Sequence, residues 1–223
     1  MKLRNQKNEN VLKCSLRDNA ILEAIDLCKI LDTEQITALF FNFKSGKRKC
    51  QDRMKSLYDR GLVKKTRLSL NTPTVYFQKK LSGIPQHDLA LSWVYVWFMK
   101  QSAKVLTWEL DQLSEFGLKT DALCSTYIQM TKEVRWHCIE LERGASSRNR
   151  FIKVMNYDDL YKREGFTGSA LMKRLDNVQR FPKVVIVTDK AEHGLRIRKA
   201  MGESTSTVRY EVHLLSVLKE GII

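Results

Sequence analysis

The sequence predicts an α+β chain in two parts, and three observations carry that expectation. Apolar side chains recur at three- and four-residue intervals between residues 16 and 60, the run after Gly61 alternates, and the composition shifts near residue 85. The expected domains are residues 1–85, three helices closed by a β-hairpin, and residues 86–223, a mixed α/β unit.

Leu16, Ala20, Ile21, Ala24, Leu27, Cys28 and Leu31 make the stripe of a first helix, and Asp32 or Thr33 can cap a second over residues 34–41. Ser45 and Gly46 break the chain before a third helix over residues 47–60, with Cys50, Met54, Leu57 and Tyr58 as its buried stripe. Gly61 stands where a helix cap is needed. Leu62, Val63, Thr66, Leu68 and Leu70 then alternate, Asn71 to Pro73 turn, and residues 74–78 return. Helix, helix, helix, hairpin is the layout of a winged helix-turn-helix.

Charge points the same way. Residues 44–80 hold twelve basic against two acidic side chains, a net +10 in a chain whose total is +14. A solvated face explains many charge runs, but concentration on one helix and hairpin is the footprint of a phosphate-binding surface. Lys47, Arg48, Lys49, Gln51, Arg53 and Lys55 on the helix, with Lys64, Lys65 and Arg67 on the hairpin, are the expected contacts to double-stranded DNA. Arg48 and Gln51 are the candidates for base edges, since Arg fits guanine O6/N7 and Gln fits adenine N6/N7.

Residues 87–223 carry 21 basic and 17 acidic side chains. Residues 88–100 read as a helix with apolar groups on every side, Trp93, Tyr95, Trp97 and Met99 among them; covering them by a second copy predicts a homodimer, and the alternative is packing against the winged helix within one chain. Strands are expected at 105–110, 122–130, 134–141, 183–188 and 210–215, with helices at 148–162 and 190–201. Glu140 and Glu142, two apart, face one side of their strand, and Asp121 precedes the neighbouring strand. Such carboxylates can hold Mg or Mn for phosphodiester hydrolysis, with Asp121 and Glu140 as metal ligands and Lys153 supplying positive charge. The plain alternative pairs both glutamates with Arg143, Arg148 or Arg150 at the surface.

The order Thr107-Trp108-Glu109, Thr120-Asp121-Ala122, Ile139 to Gly144, Lys153 with Tyr157, and Val184 to Asp189 resembles the replication-relaxation family of plasmid and mobile-element proteins. That resemblance spans residues 19–218 and implies a winged helix joined to a PD-(D/E)xK nuclease-like domain. Asp121 and Glu140 would take its two acidic positions. Glu142 stands where the family pattern has lysine, and Thr120 where it has proline, which implies either that Lys153 supplies the missing positive charge from the helix or that the domain has lost its chemistry and survives as a scaffold, the reading preferred. The leading expectation is therefore a sequence-specific DNA-binding protein of a plasmid, phage or mobile element, acting in replication, DNA relaxation or transcriptional control. The alternatives are a metal-dependent endonuclease with Asp121, Glu140, Glu142 and Lys153 as its catalytic set, and a protein-interaction adaptor.

Other classes find no support. Phosphate-binding loop, dinucleotide fingerprint and G-x-S-x-G elbow are all missing, and the four histidines are scattered. Five cysteines without a C-x-x-C spacing fit reduced thiols, and neighbours His137 and Cys138 point to opposite strand faces, a poor zinc chelate. Residues 1–10 are polar, with no secretory pattern, and the apolar stretch 89–99 falls short of the roughly 20 residues that span a bilayer. A cytoplasmic protein without a membrane partner is expected.

Overall fold

The computed structural model describes residues 14–143, 150–176, 178–204 and 207–222. The architecture is α+β, and the chain divides into two compact units, residues 1–92 and 93–223. The division falls inside a helix, whereas the composition changes at that helix's first turn, where Pro85 occupies the position that needs no amide donor.

In the first unit, α1 (Leu16–Cys28) opens with a reciprocal cap: Asp18 N donates to Ser15 Oγ at 3.2 Å and Ser15 N to Asp18 Oδ2 at 3.0 Å. The stripe settles on Ile21, Ala24, Ile25 and Cys28, while Leu16 is 91% exposed, outside the face expected for it. A two-residue strand, β1 (Leu31–Asp32), leads into α2 (Thr33–Phe40), where Asp32 and Gln35 repeat the reciprocal cap at 2.7 and 2.8 Å. Before α3 (Gly46–Asp59) only glycine fits, because a Cβ at Gly46 would lie 1.7 Å from the Phe41 carbonyl oxygen. That helix ends in a Schellman turn: Gly61, at φ 72°, donates to Tyr58 O at 2.8 Å and Leu62 N to Leu57 O at 3.0 Å.

The hairpin β2 (Lys64–Thr66) and β3 (Val75–Phe77) is shorter than the alternation predicted, and β1 pairs with β3 to give an antiparallel sheet in the order β1-β3-β2. Leu70 leaves the strand pattern and is 91% exposed.

Helix α4 (Pro85–Lys100) begins in the first unit and ends in the second. The second unit's sheet has the order β4-β5-β6-β7-β8: β4 (Lys104–Leu110), β5 (Ala122–Ile128) and β6 (Glu133–Glu142) are antiparallel. β7 (Lys183–Thr188) and β8 (Tyr210–Leu214) then add in parallel. The parallel steps require crossovers, supplied by α5 (Arg150–Glu164) with α6 (Ala170–Arg174), and by α7 (Ala191–Glu203); α8 (Leu215–Glu220) follows the last strand. β7 is buried along nearly its whole length, as a strand covered on both faces must be.

One face of the sheet packs Trp136, Cys138, Val184 and Ile186 with Val154, Tyr157 and Leu160 of α5 and Ile197 of α7. Against the other face, Tyr95 and Phe98 meet Trp108 at ring separations of 5.2 and 6.2 Å, and Phe98 meets His137 at 5.1 Å. Trp93, Tyr95 and Phe98 are therefore buried within one chain. Of the other aromatic and apolar groups on this helix, Trp97 is half-buried against Phe98 and His213, and Met99 is 44% exposed. No described helix is long and apolar enough to cross a membrane.

Candidate functional site

The basic surface of the first unit is built on α3. Its inward face carries Cys50, Met54 and Leu57, all fully buried, which turns Lys47, Arg48, Lys49, Gln51 and Lys55 to solvent. Lys64, Lys65 and Arg67 are likewise exposed on the hairpin side. Lys47 lies 4.0 Å from Glu34, and Lys55 Nζ donates to Asp59 at 2.9 Å, both exposed pairs that bind their lysines weakly. Lys64 donates to the Lys79 carbonyl at 3.3 Å. Tyr58, expected in the buried stripe, is 41% exposed and receives the Lys65 ammonium over its ring at 4.1 Å.

Arg53 differs from the others in this set in having a buried partner. Its Nε and Nη2 both donate to the Asp18 carboxylate, and Arg60 Nη1 stands 3.9 Å from the same group. Asp18 is fully buried. Burial works to raise its pKa, but the bonds from Arg53 and Ser15 outweigh that and hold it below the usual aspartate value. Arg53 is thus a strut between α3 and α1, with 36% of its side chain still exposed. The spacing could have revealed this: residue 53 falls three after Cys50 and four before Leu57, on the side of the helix that turns inward.

In the second unit the four expected acidic-site residues converge. Lys153 Nζ lies 2.6 Å from Glu140 Oε2, 2.9 Å from Glu142 Oε1 and 3.9 Å from Asp121 Oδ2. The two-residue spacing on β6 places both glutamates on the face that α5 covers, and the antiparallel register of β5 brings Asp121 to the same end of the sheet. Tyr157, one helical turn after Lys153, donates its hydroxyl to Glu140 Oε1 at 2.6 Å, and Leu141 N donates to Asp121 Oδ2 at 2.7 Å. Of the arginines proposed as surface partners, Arg148 lies outside the described residues, as does Gly144 of the motif.

Glu140 is fully buried, and burial pushes its carboxyl up to about 7 against the opposing pull of Lys153. Burial disfavours charge on Lys153 as well, yet Glu140, Asp121 and Glu142 together keep its pKa above the ordinary lysine value. Tyr157, buried beside a carboxylate, is raised too and stays a phenol.

Three carboxylates of this kind are the donor set of a hard divalent cation, so the fit was judged on their lone pairs. Both oxygens of Glu140 are engaged, by Tyr157 and Lys153; Glu142 Oε1 is engaged by Lys153, and Asp121 Oδ2 by the Leu141 amide. The Lys153 ammonium occupies the place among them that a cation would take. In this arrangement the residues do not fit Mg or Mn. Cys124 and Cys138 are buried thiols, with Cys124 pushed up to about 12 by burial, and are not suited to ligate.

Compared with known proteins, the chain matches no family model, no curated protein and no solved structure.

Proposed function

We propose that this chain is a cytoplasmic, duplex-DNA-binding protein of a plasmid, phage or other mobile element, acting in replication, DNA relaxation or transcriptional control. The observation that carries the reading is the solvent face of α3, where Lys47, Arg48, Lys49, Gln51 and Lys55 stand opposite the buried Cys50, Met54 and Leu57. Three helices followed by a hairpin suit a winged helix-turn-helix, in which α3 enters the major groove and Lys64, Lys65 and Arg67 meet the backbone.

The second unit supports a nuclease-like reading through its topology, three antiparallel strands, a crossover helix and a parallel strand, with the acidic residues at one end of the sheet. Lys153, held among the three carboxylates, makes it a scaffold without cleavage activity. Fluorescence anisotropy on mixed-sequence duplex, repeated across a salt series, tests the binding claim, since phosphate contacts lose affinity steeply as salt rises.

A metal-dependent endonuclease is the second reading, favoured by the same convergence of Asp121, Glu140 and Glu142. Nicking of supercoiled plasmid with magnesium or manganese, abolished by Asp121→Ala or Glu140→Ala, would replace the scaffold reading with it.

A further inference from the structure

The second unit has a pocket of ≈ 280 Å³ that the acidic cluster does not use. It lies at the starting ends of β6 and β7, by Arg135 and Lys183, whereas Glu140 and Glu142 stand at the finishing end of β6. Six residues of strand separate Arg135 from Leu141, about 20 Å at the usual rise per residue.

The lining combines two chemistries. Trp136, Val178 and Phe181 form an apolar wall; all three belong to the cluster under α5, and strand alternation puts His137 on the other face. Arg180 and Arg209 stand around this wall, while Arg135 and Lys183 fall by the same alternation on the face of His137. Glu133 takes Arg135 at 3.0 Å and Glu211 takes Lys183 at 2.7 Å. Among the described residues no ion pair within 4 Å engages Arg180 or Arg209, and both are exposed, although Arg180 is near enough to help hold the Glu133 carboxyl below its ordinary value.

Trp136 is 6% exposed, and its indole Nε1 has no hydrogen-bond partner among the described residues. A neighbouring recess of ≈ 220 Å³ shares Gln179, Arg180, Phe181 and Arg209 and adds Tyr161, whose ring meets Phe181 at 5.3 Å. The two recesses have the same pair of arginines in their linings.

We infer that this pocket binds a nucleotide, with the base against the Phe181 and Val178 side of the wall and the phosphate held by Arg180 and Arg209. An aromatic wall beside cations is the combination by which single nucleotides are held irrespective of sequence. The volume is near the lower end for small-molecule sites and admits no helix or strand of a partner. The ligand chemistry has two sources, a free nucleotide or the phosphorylated end of a DNA strand, and the neighbouring recess provides room for the second.

Isothermal titration of the full chain at moderate salt tests this with dAMP, deoxyadenosine, and trithymidylate with and without a 5′-phosphate. The expected result is saturable one-to-one binding of a phosphorylated probe, at least tenfold weaker without its phosphate. Arg180→Ala with Arg209→Ala should weaken it at least tenfold. Arg48→Ala with Lys49→Ala should leave it unchanged, which separates this pocket from the duplex-binding face. Binding of dAMP itself identifies a free nucleotide as the ligand, and binding of only the phosphorylated trinucleotide identifies a strand end. No saturable binding of either, equal binding of the unphosphorylated probes, or full affinity in the double arginine variant would each overturn the inference.

Discussion

Arg53 grips Asp18 through two nitrogens, and because that carboxylate is fully buried the pair fixes α3 against the first turn of α1. The basic helix therefore holds its orientation through one of its own cations.

Arg53→Ala should accordingly destabilise the first unit. Removing one partner of a buried pair typically costs about 3–5 kcal/mol; Arg53 is itself partly exposed, so about 2 kcal/mol is expected here. Urea unfolding measures it. Since the Asp18 pKa is lowered in the fold, this contribution is present above the ordinary aspartate value and fades as pH falls through it. An Arg53→Ala chain as stable as the parent at pH 7 would remove the strut.

Glu140 predicts the opposite pH trend. Its folded pKa, about 7, lies above the ordinary 4.5, so the folded state binds the proton more tightly than the unfolded chain. Its contribution is full below about 4.5, declines as pH rises to about 7, and then levels. Glu140→Gln keeps an acceptor for Tyr157 and cannot titrate, so its thermal midpoint should lack that decline. The same slope in parent and variant between pH 4.5 and 8 would show that Glu140 is an ordinary carboxylate.

Lys153→Ala leaves three carboxylates facing one another with no ammonium among them. A loss of about 3 kcal/mol is expected at neutral pH. Magnesium or manganese at millimolar concentration should restore part of it in the variant and change the parent little. A variant whose melting temperature ignores both ions would show that these side chains cannot form a cation site.

Much of this arrangement was legible in the sequence because its signals are local. The spacing of Cys50, Met54 and Leu57 located α3, Gly61 its cap, and the two-residue interval from Glu140 to Glu142 their shared face. What escaped depends on contacts distant in sequence. β1 has only two residues and exists because Leu31 and Asp32 pair with Tyr76 and Val75. Asp18 reads as a capping acid at a helix start, and nothing nearby announces that Arg53, 35 residues on, neutralises it. Tyr95 and Phe98 of the aromatic helix meet Trp108 and His137, which lie on strands whose packing face composition does not reveal. The short α6 and α8 carry too few residues for a periodic pattern.

The central claim, that the solvent face of α3 binds duplex DNA, is tested most directly by anisotropy titrations of the parent and of Arg48→Ala with Lys49→Ala, across 50 to 300 mM salt. Both side chains are exposed, so the variant should melt with the parent. The account predicts at least tenfold weaker binding in the variant and a shallower dependence of log affinity on log salt, by about 0.9 for each lost phosphate contact. Equal affinity and an equal salt slope in the two proteins would contradict it.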